Sequence, residues 1–101
     1  MQKKSTLDTS ERQFYEKLKK RLEESTEWPT DYMFKFILPS HQPSIEKLKG
    51  IFDEEGATIN TRSSSKGKYT SVTIRLGIDH PDQVVEKYKE VGYQIEGVIS
   101  L

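Results

Sequence analysis

The sequence predicts an α+β sandwich in which strands and helices follow one another as β-α-β-β-α-β, with one further helix in front. Three observations predict it. "YMFKFIL" and "KYTSVTIRLGI" alternate apolar and polar residues with a period of two, as half-buried strands do. "SIEKLKGIFDEE" and "DHPDQVVEKYKEVG" repeat their apolar residues with a helical period. The turn-rich clusters "PSHQP" and "SSSKG" fall between these segments. That order is the split-βαβ, ferredoxin-like pattern, a four-stranded antiparallel sheet with both helices on one face.

In chain order, residues 1–9 read as a flexible polar tail. Residues 10–26 read as an N-terminal helix, with Asp8, Thr9 or Ser10 as cap and an apolar stripe of Phe14, Leu18 and Leu22 beside Tyr15. Pro29 bars its continuation. Residues 27–101 then form the ferredoxin-like domain. Its first strand spans Tyr32–Leu38, and a helix from Ser44 to Glu55 follows, with Gly56 at its C-terminal turn. "ATINTR" is the second strand, "SSSKG" a turn and "KYTSVTIRLGI" the third strand. The last helix has Asp79 as cap, Pro81 in its first turn and Gly92 at its end. "YQIEGVISL" alternates as a closing strand.

This arrangement sorts side chains between two sheet faces. The expected inward set is Phe34, Phe36, Leu38, Ile59, Val72, Ile74, Leu76, Ile78, Ile95 and Ile99. The expected open face carries Met33, Lys35, Ile37, Asn60, Arg62, Tyr69, Ser71, Thr73, Arg75, Glu96 and Val98. The N-terminal helix must also bury its stripe, either on that open face over Met33, Ile37 and Val98 or against a second subunit.

Composition narrows the function. The 101 residues make one domain, with room for a core but little for a deep enclosed active site. Basic and acidic residues balance at 16 each, so no net charge draws the chain to nucleic acid or a membrane. Cysteine is missing, which removes disulfides, thiol catalysis and thiolate metal sites and suits a reducing cytoplasm. The first residues lack the apolar stretch of a secretory signal, and no window nears the ~18 apolar residues of a membrane span.

Specific chemistries fail on their residue requirements. A phosphate-binding P-loop needs GxxxxGK[ST] feeding a helix, whereas "RSSSKGKY" has Arg62 at the first glycine and feeds a strand. An RNA-reading sheet needs exposed aromatics on its central strands, and only Tyr69 qualifies. An acylphosphatase-type anion cradle needs glycines and an arginine after the first strand, which "LPSHQP" lacks. Asp79, His80 and Asp82 lie close together, but helix capping accounts for them. No catalytic residue, metal ligand or cofactor is expected.

Between Gly56 and Ile78 the basic residues Arg62, Lys66, Lys68 and Arg75 have no acidic neighbour in sequence. Gly67 and the serines suit a hairpin turn, but turn formation does not demand two lysines beside a tyrosine. Ser64, Ser65, Lys66, Lys68, Tyr69 and Ser71 are therefore the candidate anion- or partner-binding residues.

Two resemblances sharpen this reading. "LPSHQPSIEKLKGIFDEEGATI" resembles the loop–helix rhythm of ACT regulatory domains through Pro43, Ile45, Leu48, Gly56 and Ile59, although Ser44 stands where those domains have glycine. "WPTDYMFKF" and the hairpin Ser64, Ser65, Lys66, Gly67, Tyr69, Ser71 and Val72 resemble the YbeD-like family of small bacterial proteins over roughly residues 27–101. That resemblance implies an ACT-like ferredoxin fold and carries no established activity. The expected function is a small cytoplasmic regulatory or ligand- and partner-binding module that is not an enzyme. Its expected partners are a second copy of the chain, a small-molecule effector or another protein. The alternatives are a protein-interaction adaptor and a nucleic-acid-binding domain that uses the basic hairpin.

Overall fold

The structure is a computed structural model that describes residues 9–53 and 56–101. Its elements are α1 (Thr9–Ser25), β1 (Thr30–Pro39), α2 (Gln42–Asp53), β2 (Thr58–Ser63), β3 (Tyr69–Ile78), α3 (Pro81–Gln94) and β4 (Ile99–Ser100). The strands form one antiparallel sheet in the order β2-β3-β1-β4, the ferredoxin-like arrangement. The expected tail, apart from Thr9, and the expected helix end at Glu55 lie outside the described residues.

Strand alternation decides the core. Phe34, Phe36 and Leu38 of β1 and Val72, Ile74, Leu76 and Ile78 of β3 point to the helical layer and are buried. Ile45, Leu48, Ile51 and Phe52 of α2 and Val84 and Val91 of α3 meet them. Rings dominate the centre: Phe34 lies 4.8 Å from Tyr32, 5.0 Å from Phe52 and 5.4 Å from Tyr88, centroid to centroid. These are separations at which edge-to-face pairs attract. Lys87 ties α2 to α3 by donating from Nζ to the Ile51 carbonyl at 2.7 Å.

The N-terminal helix does not lie on the open sheet face, one of the two places expected from its stripe. It packs against α3, in the helical layer of its own chain. Leu22 is buried in the core, Leu18 packs against its rim, and Phe14 remains 62% exposed. Trp28 Nε1 donates to the Leu22 carbonyl at 3.1 Å, and its ring stacks on Tyr32. Lys19 Nζ meets Asp82 Oδ1 at 2.8 Å, and Lys89 Nζ sits 5.4 Å from the Tyr15 ring centre. The docking sites for α1 are thus on α3, where the sequence offered no visible mate.

The C-terminal segment also differs from the alternation reading. Gly92 does not end α3. The helix runs to Gln94, and the Ile95 N–H bonds back to the Val91 carbonyl at 3.0 Å. The stripe Val84, Tyr88, Val91 continues at helical spacing to Ile95, so a longer helix buries Ile95 as well as a strand would. The turn glycine is Gly97, at φ +74°. β4 then pairs Ile99 with Ile37 and Ser100 with Phe36. Ile99 therefore faces the open side and is 54% exposed, while Val98 packs against the core. This is the inverse of the expected assignment, because one residue of slip reverses every side chain on a strand.

Two caps are corrected as well. α2 starts at Gln42, which puts Ser44 inside its first turn rather than at its cap. The N-cap of α3 is His80, not Asp79. Gln83 Oε1 reaches back to accept from the Asp79 and His80 backbone N–H groups at 2.8 and 3.2 Å.

Candidate functional site

With all three helices on one side, no element among the described residues covers the second face of the sheet. The strand register lays out its side chains in rows. One row crosses four strands as Arg62, Ser71, Ile37 and Ile99. The next runs Asn60, Thr73 and Lys35, with the Leu101 N–H donating to the Lys35 carbonyl at 2.9 Å. A third runs Thr58, Arg75 and Met33. Tyr69 lies opposite Pro39 at one end, and Asp31 lies opposite Gly77 at the other.

The face mixes cations with accessible apolar atoms. Met33 is 51% exposed and Tyr69 48%. Arg75 reaches Asp31 at 3.6 Å, an exposed and weak pair. Among the described residues, Lys35, Arg62, Lys66 and Lys68 have no carboxylate at ion-pair distance.

The hairpin between β2 and β3 borders this face. Its turn is closed by Gly67 N–H to the Ser64 carbonyl at 2.9 Å and by Ser64 N–H to the Tyr69 carbonyl at 2.8 Å. Ser64 Oγ accepts from the Tyr69 N–H at 3.1 Å, and Gly67 adopts φ +73°. Ser64 is therefore a structural residue of the turn, with its hydroxyl proton still available to donate. Ser71 Oγ donates to the Arg62 carbonyl at 3.4 Å, a long contact that bridges the two strands.

A shallow concavity of about 660 Å³ lies where turn and sheet meet, lined by Ile37, Arg62, Ser64, Ser65, Tyr69 and Ser71 among others. The structure thus gathers Ser64, Ser65, Tyr69 and Ser71 from the candidate set around one hollow. Lys66 and Lys68 are exposed on the turn and do not line it. The residues that sequence reasoning placed on the face but left out of the site are Arg62 and Ile37. Their signal was the register itself, since both sit in one row with Ser71. A donor-rich rim over an apolar floor favours a ligand or surface that is anionic and partly apolar.

The acidic pair near α3 has a different role. Asp82 is the partner of Lys19, whose pKa is raised by that hydrogen bond and by the carboxylate's charge. Among the described residues, no three His, Asp or Glu side chains gather as a metal site would require. No helix among them is long and apolar enough to cross a membrane.

Comparison with known proteins places the domain. The family model described as "Protein of unknown function (DUF493)" matches residues 23–99. A UPF0250 protein of Shewanella baltica (strain OS155) is 29% identical over 81 residues, covering 77% of this chain and 91% of the relative. The UPF0250 protein of Shewanella oneidensis (strain MR-1) is 29% identical over 84 residues, covering 80% and 94%. One from Shewanella putrefaciens (strain CN-32) is 27% identical over 81 residues, covering 77% and 91%. No solved structure matches the chain. With its β-α-β-β-α-β core inside the matched span up to the first residue of β4, and the relatives aligned over almost their full lengths, the chain belongs to the DUF493 family of proteins of unknown function.

Proposed function

We propose that the protein is a small, non-catalytic regulatory module that recognises a partner through the open face of its sheet. One observation carries this reading. Because α1 docks on α3, the opposite sheet face keeps Met33, Tyr69 and Ile99 about half exposed beside Lys35 and Arg62. Apolar surface of this kind, rimmed by polar groups, marks interaction sites. A photo-crosslinking residue placed at Met33 tests it in cells, with Lys20 on the exposed side of α1 as the control position. Discrete adducts are expected from position 33 and not from position 20, and they should disappear on Arg62→Glu. Equal adducts from both positions, or none from the sheet face, contradict the proposal.

A second reading has its own observation. A polar hollow of about 360 Å³ lies beside the β1–α2 connection, lined by Ser40, Gln42, Lys49, Thr61, Ser63 and Thr70 among others. A small anionic effector would fit its hydroxyls and its lysine. A metabolite screen by thermal shift would find it, and Lys49→Ala should abolish the shift. A screen in which no anionic metabolite raises the melting temperature removes this reading.

A further inference from the structure

We propose that the open sheet face is the docking site for an acidic amphipathic helix of a partner protein. The inference rests on the reading that this face binds a partner, and it specifies the partner's chemistry.

Charge supplies the first argument. The strand register places Lys35, Arg62 and Arg75 on the face, and Asp31 is the sole carboxylate that it places there. The chain as a whole is neutral, with its 16 acids balancing its 16 bases. The helices balance, with nine acids and nine bases across α1, α2 and α3, so the excess of base belongs to the sheet face. The sheet face is therefore net positive beside a neutral helical layer, and it complements an acidic surface.

The apolar groups supply the second. Ile37 and Ile99 stand side by side on adjacent strands, roughly 4.8 Å apart by strand spacing. Met33 lies four residues along β1 from Ile37, about 13 Å away at the antiparallel rise. Lys35 projects between them. Residues seven or eight apart on a helix are about 10–12 Å apart, so one apolar helical stripe spans Met33 to Ile37 and Ile99. Carboxylates flanking that stripe on its β3 side would meet Arg75 beside Met33 and Arg62 beyond Ser71, while the long Lys35 side chain between the apolar anchors meets carboxylates on the stripe's edge.

Nucleic acid meets the same charges but not the same surface. Bases need rings to stack on, and Tyr69, at the margin of the face, is the one ring that the register offers. Methionine and isoleucine side chains give them no platform, whereas they are ordinary anchors for leucines.

Fluorescence anisotropy with the full chain tests the proposal. The probe is a labelled peptide of about 18 residues, about 27 Å long as a helix, with leucines at i, i+3, i+4 and i+7 and glutamates on the other face. A scrambled peptide of equal composition and an oligothymidylate of similar charge are the comparisons. The amphipathic peptide should bind, more weakly as salt shortens the screening length. The scrambled isomer should bind about tenfold more weakly, since it loses the apolar stripe. Lys35→Glu with Arg62→Glu, and separately Ile99→Ser, should each weaken binding about tenfold or more. These side chains are exposed, and circular dichroism would show the variants folded. Equal binding of both peptides, tighter binding of the oligothymidylate, or no binding of the amphipathic peptide overturns the proposal. If crosslinks form in cells from position 33 while the peptide fails to bind, only the helix inference falls and the binding face stands.

Discussion

Lys19 Nζ lies 2.8 Å from Asp82 Oδ1, joining the middle of α1 to the first turn of α3. Both side chains are well exposed, so the pair selects a position more than it supplies stability. Apolar burial just beyond it does the holding: Leu22 enters the core, and Trp28 closes over the helix end through its bond to the Leu22 carbonyl. Lys19→Ala should leave the melting temperature nearly unchanged. Leu22→Ala should cost about 2–4 kcal/mol in urea unfolding, since it removes buried methyl groups and leaves a cavity.

Phe34 is the hub of the core, fully buried and in ring contact with Tyr32, Phe36, Phe52 and Tyr88. Phe34→Ala should cost about 3–5 kcal/mol, a large share of the ~5–15 kcal/mol that stabilises an ordinary domain. Phe34→Leu should cost clearly less, because it keeps most of the volume while losing the ring contacts. Equilibrium denaturation of both variants checks the order.

The Tyr88 hydroxyl lies 3.2 Å from that of Tyr32. Burial, and then the hydrogen bond to Tyr32, push the Tyr88 pKa well above 10.0. The folded protein thus keeps a proton that the unfolded chain releases first. This contribution is whole below pH 10 and is lost as pH rises from there toward the folded-state pKa. Stability should therefore fall above pH 10, and Tyr88→Phe should flatten the fall. At neutral pH that substitution should cost about 0.5–1.5 kcal/mol for the lost hydrogen bond. Urea titrations at pH 8 and near pH 11 measure both effects.

In the hairpin, Gly67 at φ +73° has open space where a Cβ would go. Gly67→Ala should therefore cost only the dihedral penalty of about 1–2 kcal/mol, with no steric addition. Ser64→Ala should cost about 0.5–1.5 kcal/mol by removing the acceptor for the Tyr69 N–H. Both effects are readable by denaturation. A much larger loss for Gly67→Ala would mean that the turn has no room for the methyl.

Much of this architecture was legible because burial in a sheet leaves a period of two in the sequence. Phe34, Phe36 and Leu38, and Val72 through Ile78, announced both their strands and their inward faces. The C-terminal segment misled because Tyr93, Ile95, Gly97 and Ile99 alternate just as a strand would, yet Ile95 also completes the stripe of α3. Helix spacing and strand alternation agree on Ile95 and disagree on Ile99. Only the pairing of Ile99 with Ile37 decides between them. The position of α1 left no local trace either, since its stripe specifies an apolar mate without saying which one. The hairpin serines were visible as a cluster, but the inclusion of Arg62 and Ile37 depends on cross-strand register, a long-range property.

The account turns on α1 lying against α3, so that the sheet keeps an open face. The chain has no cysteine, so a single introduced thiol reports its own accessibility. Thiol-labelling rates of folded Met33→Cys, Ile99→Cys and Leu18→Cys are the most direct measurement. The thiols at positions 33 and 99 should react nearly as fast as in the unfolded chain, and the one at 18, half-buried at the rim of the core, should react more slowly than either. Protection at 33 and 99 with rapid reaction at 18 would place the helix elsewhere and contradict the account.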